Sequence, residues 1–202
     1  MAPPPYDHDA LKARLEQLDE RRQLAFGAVC CERLLPNYEA FSRDAGWGGV
    51  APLRHALDRI WDYLGGTTLV AKDAETALEA CEAVVPDSED HTSLYVTAAQ
   101  DACFSVCALY DFVLDPQTDH IADIARFATD SVDLYVQEIE QMRPNDPQRE
   151  QKIAEHPLMQ RELAQQERDL KAVSAASSVD AAFLAGLRHS WPYPGKSNLD
   201  LP

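Results

Sequence analysis

The apolar residues of this chain recur at the spacing of amphipathic helices. Leu53, Leu57, Ile60 and Leu64 are three or four positions apart, so they share one face of a helix, and similar stripes follow through most of the chain. Prolines and glycines separate these stripes. The pattern predicts helices over about 9–19, 20–35, 51–64, 73–85, 93–114 and 118–142, a short helix from 147, and a longer one from 157 towards 187 that residues 174–179 could interrupt.

Three details of this pattern bear on the architecture. Pro36 is expected to end the second helix, because proline lacks an N–H and clashes with the preceding turn. The helix over 93–114 is the most apolar stretch, which places it at the centre of the fold. The helix over 118–142 has an apolar face and an opposite face of carboxylates, namely Asp119, Asp123, Asp130, Asp133 and Glu140.

The composition favours helices over strands. The 202 residues include only 12 Val and 5 Ile, the residue types that build strands most readily. The length fits one domain. We therefore predict an all-α fold, a single-domain bundle of about seven or eight helices over residues 1–202, with irregular tails at 1–8 and 191–202.

The negative charge is concentrated in the middle of the chain. The formal net charge is −16, and residues 73–142 contain 16 acidic residues and one basic residue, Arg126. Such a segment disfavours direct binding of nucleic acid or of an anionic membrane, which require clustered Lys and Arg. It permits a basic protein partner bound through the acidic helix 118–142, or else it is a solvated face that keeps the protein soluble.

Other features of the sequence point to the cytoplasm. No apolar run approaches the ~20 residues of a membrane-spanning helix, and the proline-rich, acidic start resembles neither a signal nor a transit peptide. The five cysteines include no Cys-x-x-Cys pair and lie within apolar helical patterns. We therefore predict buried, reduced thiols and a soluble protein of a reducing compartment.

The sequence contains none of the common catalytic or phosphate-binding motifs. There is no Gly-x-x-x-x-Gly-Lys-Ser/Thr, no Gly-x-Gly-x-x-Gly, no His-Glu-x-x-His and no Gly-x-Ser-x-Gly. The nearest pair of metal-binding residue types one helical turn apart is His55 and Asp58, which alone does not make a site. We therefore assign no catalytic residue, no metal ligand and no cofactor.

Polar residues gather near the end of the second predicted helix. Glu32 and Arg33 end an apolar stretch, and Asn37 and Tyr38 follow just beyond the proline. In one interpretation these side chains line a pocket in which Arg33 binds an anionic group. In the other they are structural, with the charged pair bound to other helices and Asn37 capping the next one.

Asp101 is a carboxylate inside the most apolar helix. A buried carboxylate needs a partner or takes a raised pKa, and Arg33, Arg54 and Arg59 are the candidate partners. Either Asp101 or Glu32 acts as a base on a bound small molecule, or Asp101 faces water or forms a structural ion pair.

Several segments carry a family resemblance. Residues 24–41 contain Cys-Glu-Arg and Pro-Asn-Tyr elements, Gly46-Trp47-Gly48 follows, and residues 57–62 and 99–103 extend the pattern. In these segments the chain resembles the YjaG-like family of bacterial proteins, a domain of unknown function. The resemblance implies an all-α fold and a cytoplasmic bacterial protein, and it implies no activity. It also completes the candidate polar cluster: Glu32, Arg33, Asn37, Tyr38, Asp58, Trp61 and Asp101.

The expected function is that of a non-enzymatic interaction or regulatory module with an acidic face, for which a homodimer is one assembly. The alternative is a small-molecule-binding protein or enzyme that uses a Glu/Arg/Asn/Tyr/Asp pocket. A single pocket lined by the candidate cluster favours the alternative, whereas separated or fully paired side chains count against it.

Overall fold

The computed structural model describes residues 6–202, in which every regular element is an α-helix. In chain order the helices of this part of the chain are α1 (His8–Leu15), α2 (Glu20–Ala45), α3 (Ala51–Leu64), α4 (Ala71–Glu82), α5 (Val96–Leu114), α6 (Thr118–Ile139), α7 (Arg149–Glu155), α8 (Pro157–Ala175) and α9 (Ala181–Arg188). They pack into one domain, which confirms the predicted all-α fold. The helices exceed the expected seven or eight because the chain divides the last predicted helix into α8 and α9. Residues 1–5 of the predicted N-terminal tail lie outside the described residues.

Aspartate side chains begin three of the helices. Asp7, Asp19 and Asp180 each accept a hydrogen bond of 2.9 Å from the backbone N–H three residues further on. The first N–H groups of a helix have no partner within the helix, so each aspartate satisfies one of them. Local sequence therefore sets where α1, α2 and α9 begin.

The longest helix, α2, occupies the centre of the bundle and packs against α3, α5, α6, α8 and α9. Gly27 lets α5 and α6 approach closely, because a Cβ at this position would lie 2.9 Å from Leu109 Cδ2 and 3.0 Å from Ile124 Cδ1. The prediction that the helix over 93–114 is central is confirmed, because the corresponding helix, α5, packs against α2, α3, α4 and α6 and shares the centre of the bundle with α2. Phe104 on its outer face is 40% exposed.

Helix α2 continues through Pro36, so the prediction that this proline ends the helix is wrong. A proline removes one N–H and loosens the bonds of the preceding turn. The carbonyl of Arg33 in that turn accepts a hydrogen bond of 3.1 Å from the backbone N–H of Asn198. Beyond the proline, Tyr38 and Phe41 are fully buried, and their burial stabilises the continued helix.

The C-terminal segment 191–202 contains no helix, yet part of it is buried in the bundle. The amide of Asn198, which is fully buried, accepts a hydrogen bond from Asn37 Nδ2 and donates one to the Ala128 carbonyl, each 2.9 Å long. Arg161 of α8 donates to the Asn198 carbonyl at 2.9 Å. The segment therefore connects α2, α6 and α8 on one side of the bundle.

The cysteines belong to the core. All five thiols are buried and free, which confirms the prediction of buried thiols. Burial raises the pKa of the Cys30 thiol to about 12, so this sulfur stays protonated at neutral pH. No helix within residues 6–202 is long and apolar enough to cross a membrane.

Candidate functional site

No common pocket holds the seven residues of the candidate polar cluster. Neighbouring positions on a helix face different directions, so the residues of α2 in this set pack against different elements. Their locations are these: Arg33 against α8; Glu32 with Asp58 and Trp61 between α2, α3 and α9; Asn37 against the C-terminal segment; Tyr38 against the chain after α4; and Asp101 between α5 and α6.

Arg33 forms a buried ion-pair cluster with two carboxylates of α8. Its side chain is 1% exposed, and it donates to Glu162 at 2.8 and 2.9 Å and to Asp169 at 3.0 Å. Gln166 and Ser190 donate further hydrogen bonds to these carboxylates. Burial alone would lower the pKa of Arg33, but the surrounding negative groups raise it well above its ordinary value. Burial also raises the pKa of Asp169. We interpret this cluster as structural, because its groups bind one another.

Glu32 forms a second, half-buried network. It accepts hydrogen bonds from Arg54 at 2.6 Å and from the Trp61 indole at 2.7 Å, and it pairs with Arg188 at 2.9 Å. Both arginines also pair with Asp58. Two cations therefore balance two carboxylates, and the network joins α2 and α3 to α9.

Asn37 and Tyr38 attach other segments to α2. Asn37 lies inside the continuous helix, so it does not cap a following one, and its amide contacts Asn198. The Tyr38 hydroxyl donates to the Val84 carbonyl at 2.8 Å, and burial raises the pKa of Tyr38 to about 12. Both side chains therefore have structural contacts.

Asp101 is the one buried carboxylate of the candidate cluster that forms no ion pair with a residue of 6–202. It is 7% exposed, and its one hydrogen bond within residues 6–202 is a 2.8 Å bond from the Ser131 hydroxyl. The prediction that Arg33, Arg54 or Arg59 pairs with it is wrong, since those arginines bind other carboxylates. Burial raises the pKa of Asp101 to about 7, so near neutral pH this group exchanges between its charged and neutral forms.

Partly exposed apolar side chains flank Asp101 on the outer side of α5 and α6. Phe104 is one helical turn after Asp101, and its ring centroid lies 5.9 Å from that of Phe127, one turn before Ser131. Leu134, one turn after Ser131, is 43% exposed. We call the surface formed by Phe104, Phe127 and Leu134, together with the buried pair Asp101 and Ser131 between the two helices, the α5–α6 face.

Carboxylates surround the α5–α6 face. Arg126, the one basic residue of the acidic segment, pairs with Asp130 at 3.3 Å, and its guanidinium lies 4.8 Å from the centre of the Phe127 ring. Burial raises the pKa of Asp130. Asp133 and Glu138 form no ion pair with any described residue. The face therefore combines apolar contact area with excess negative charge.

Sequence reasoning missed several residues of both sites. Glu162 and Asp169 are seven positions apart and so share one side of α8, a spacing that indicates a common partner once the helix is known to be buried. Phe127 and Leu134 fall among the carboxylates on the polar side of the helix 118–142, which is a sign of partial exposure. Phe104 gave no such sign, because its neighbours in sequence are apolar.

The structure offers no candidate metal centre within residues 6–202. No group of three or more His, Cys, Asp or Glu side chains in this range is arranged to hold an ion. His55 is exposed on α3, and Asp58 pairs with Arg54 and Arg188.

Comparison with known proteins identifies the family. Residues 10–201 match the family described as "Protein of unknown function (DUF416)". The chain is 27% identical over 193 residues to the uncharacterized protein YjaG of Escherichia coli (strain K12), covering 93% of this chain and 94% of that protein. A crystal structure of a DUF416 family protein from Shewanella baltica OS155 shares the fold, with a TM-score of 0.85 and 24% sequence identity over 94% of this chain and 97% of the other. The resemblance to the YjaG-like family is thus confirmed, and the chain belongs to the DUF416 family.

Proposed function

We propose that this protein is a non-enzymatic interaction module whose α5–α6 face binds a basic, amphipathic helix of a protein partner. The observation that carries the proposal is the presence of Phe104, Phe127 and Leu134 around Asp101 within the acidic middle of the chain. A helix with leucine-like residues on one side and Lys or Arg beside them matches both properties of this surface.

The charge of the surface supports a basic partner. Residues 73–142 contain 16 acidic residues against one basic residue, and that residue, Arg126, is already paired with Asp130. Uncompensated carboxylates such as Asp133 and Glu138 attract a cationic segment at a distance and orient it on approach. Salt screens charges separated by more than about 8 Å at 0.15 M ionic strength, so binding should weaken as salt rises.

The apolar residues supply contact area that charge alone does not. Phe104 and Leu134 are 40% and 43% exposed, and covering such side chains removes apolar surface from water. A second copy of this chain is a poorer occupant, because it would bring an equally acidic surface to the same place. We therefore commit to a basic partner rather than a homodimer.

The alternative, a small-molecule pocket built from the candidate polar cluster, is not our proposal. Arg33 is fully engaged in the core, and Glu32 is engaged by two arginines and an indole. Neither of the two candidate general bases, Glu32 and Asp101, lies beside an arginine that is free of other carboxylates within residues 6–202. We place the module in the cytoplasm, which agrees with five thiols that form no disulfide.

The test is a binding titration with two defined peptides. One probe is a helical peptide of leucine and lysine with a single apolar side, and the other replaces every lysine by glutamate. Fluorescence anisotropy at low and high salt measures their affinity for the full chain. We expect the lysine peptide to bind, with weaker binding at high salt, and the glutamate peptide not to bind.

Matched variants localise the binding. Leu134→Gln removes an apolar contact from the face, whereas Leu114→Gln changes a leucine of similar exposure, 37%, at the end of α5. Glu138→Gln removes a charge beside the face, whereas Glu155→Gln removes one on α7. We expect the first member of each pair to weaken binding several-fold and the second to leave it unchanged. Equal effects within both pairs, or self-association abolished by Leu134→Gln, would overturn the proposal.

A further inference from the structure

A second surface of the protein has the features of a small-ligand site. A cleft of about 430 Å³ opens where the start of α2, the end of α3 and the end of α5 meet. We call it the α2–α3–α5 cleft. Its volume falls within the range of about 300–1,000 Å³ typical of small-molecule sites. It lies at the end of α5, two turns beyond Phe104, and shares no residue with the α5–α6 face.

The floor of this cleft is apolar. Leu24, Leu64 and Phe112 line it, and they are 3%, 2% and 3% exposed. These side chains belong to the main hydrophobic core. A ligand that enters the cleft therefore places part of itself against core side chains, which favours an apolar body.

The rim of the cleft carries polar donors whose N–H and O–H groups are not all used within residues 6–202. Arg21 donates to the Leu64 carbonyl at the end of α3 and forms no ion pair with any residue of 6–202. The hydroxyls of Thr67 and Thr68 on the same rim likewise donate to no described group. One nitrogen of the guanidinium is thus held by the backbone, while its other N–H groups remain available. A cation held at one nitrogen, in a cleft that two hydroxyls also line, suits a carboxylate, which accepts several hydrogen bonds at once.

The negative charge of the whole protein makes the cation at this cleft unusual. A protein of net charge −16 repels small anions over most of its surface. The excess charge lies within residues 73–142, whereas Arg21 belongs to the nearly balanced residues 1–72. Glu20 lies on the same rim and opposes an anion, so its removal should strengthen anion binding. The arrangement therefore makes a specific prediction about each of two adjacent residues.

We infer that the α2–α3–α5 cleft binds a small monocarboxylate with an apolar body, with the carboxylate on Arg21 and the threonine hydroxyls and the apolar part on Leu24, Leu64 and Phe112. This site is independent of the proposed partner-binding function. It requires no chemical step, since the chain contributes recognition only.

The experiment uses the full chain labelled with ¹⁵N and three probes. These are 3-phenylpropionate, 3-phenylpropanamide, which lacks the charge, and inorganic phosphate, which lacks the apolar body. Amide chemical shifts measure the affinity and locate the site. We expect 3-phenylpropionate to shift the backbone amide signals of Gly66, Thr67 and Thr68. We expect 3-phenylpropanamide and inorganic phosphate each to bind at least about tenfold more weakly.

Variants decide whether Arg21 carries the recognition. Arg21→Gln should weaken 3-phenylpropionate binding about tenfold, whereas Arg143→Gln, in the loop before α7, should leave it unchanged. Glu20→Gln should strengthen binding a few-fold. Thr67→Val preserves every charge and should weaken binding less than Arg21→Gln, which provides a second test if Arg21→Gln unfolds the protein.

Three results would overturn the inference. Equal affinity for 3-phenylpropionate and 3-phenylpropanamide would show that the site does not recognise the carboxylate charge. Equal affinity for 3-phenylpropionate and phosphate would show that the apolar body contributes nothing to binding. Shift changes centred away from residues 66–68 would place the ligand elsewhere.

Discussion

Arg33 and Asp101 are both buried charged residues in apolar helices, but their surroundings differ. Arg33 donates to two carboxylates of α8 and is 1% exposed. Asp101 is 7% exposed and receives a hydrogen bond from one neutral hydroxyl, that of Ser131. A buried charge is expensive unless opposite charges and hydrogen bonds compensate it. The first site is compensated within the fold, and the second is not.

This difference separates a charge that holds the fold together from a charge that can still pair with a bound partner. The Arg33 cluster connects α2 to α8, and loss of Arg33 leaves two carboxylates in the core without a cation. Asp101 holds no element in place through an ion pair, and it lies at the edge of a partly exposed apolar surface. A cation brought by a partner would form the ion pair that no residue within 6–202 forms with Asp101. The contrast leads to four predictions, given from the largest expected effect to the smallest.

Replacing Arg33 should have the largest effect on stability. Arg33→Met leaves Glu162 and Asp169 buried without a cation, which should cost about 3–5 kcal/mol at pH 7. The loss should shrink at acidic pH, because protonation removes the unpaired charges. Urea unfolding at pH 7 and pH 5 measures both values.

Neutralising the two carboxylates provides the control for Arg33→Met. The triple variant Arg33→Met, Glu162→Gln, Asp169→Asn should recover much of the lost stability, since no unpaired charge remains. A single Arg33→Met variant as stable as the natural protein would show that the cluster is not held by charge.

Neutralising Asp101 should stabilise the fold, whereas replacing Arg33 destabilises it. Its pKa of about 7 in the fold lies above the ordinary aspartate value, so the folded state binds the proton more tightly than the unfolded chain. Stability contributed by the protonated form is fully present below about pH 4 and is lost as pH rises to about 7. Asp101→Asn should therefore stabilise the protein by about 2–4 kcal/mol at pH 8 and by almost nothing at pH 4.

Thermal or urea unfolding across that pH range checks this prediction. Ser131→Ala is the companion variant, because it removes the Ser131 hydrogen bond to the Asp101 carboxylate and should raise the pKa of Asp101 further. An Asp101→Asn variant that is less stable at pH 8 would mean that the carboxylate is compensated after all.

Replacing Glu32 should have an intermediate effect. Glu32→Gln keeps an acceptor for the Trp61 indole but removes the charge that faces Arg54 and Arg188. Because the network is half-buried and water reaches it, the cost should be about 1–2 kcal/mol. Urea unfolding at low and high salt measures it, and a loss as large as that of Arg33→Met would contradict the role assigned to burial.

Replacing Arg126 should raise the pKa of Asp101 while changing the stability of the fold very little. Arg126 is 41% exposed and pairs with carboxylates on the surface, so Arg126→Gln should alter stability by no more than about 0.5 kcal/mol. Its positive charge lowers the pKa of Asp101, so its loss should raise that pKa. Titration of the Asp101 carboxyl carbon by NMR detects the shift, and Arg149→Gln on α7 is the control. An unchanged or lowered pKa would contradict the prediction.

The positions of the helices were largely predictable, and their exact ends less so. The stripe over 51–64 coincides with α3, because Pro52 and Gly65 mark its ends. Helix α4 begins at Ala71 rather than Asp73, since its N-cap, Val70, makes no side-chain cap bond that the sequence could reveal. Pro36 was misjudged for a tertiary reason: Asn198, far along the chain, donates to a carbonyl of the turn before that proline.

The candidate site was predictable only in part. Local sequence identified Arg33 and Asp101 as charges in apolar surroundings, but their partners lie 129 and 30 positions away. The choice of Arg33, Arg54 or Arg59 for Asp101 failed because those arginines find carboxylates on other helices. The exposure of Phe104 also depended on which side of α5 the neighbouring helices α2, α4 and α6 leave uncovered.

By itself the sequence determined the helical class, the concentration of negative charge in residues 73–142 and the presence of charged residues in apolar helices. These properties follow from spacing and composition, which act over one or two helical turns. Only the tertiary structure decided which charges are compensated, which apolar side chains remain exposed and where a cleft opens. Those outcomes depend on contacts between distant segments, and the free energy of a buried charge is set by the groups that the whole fold brings to it.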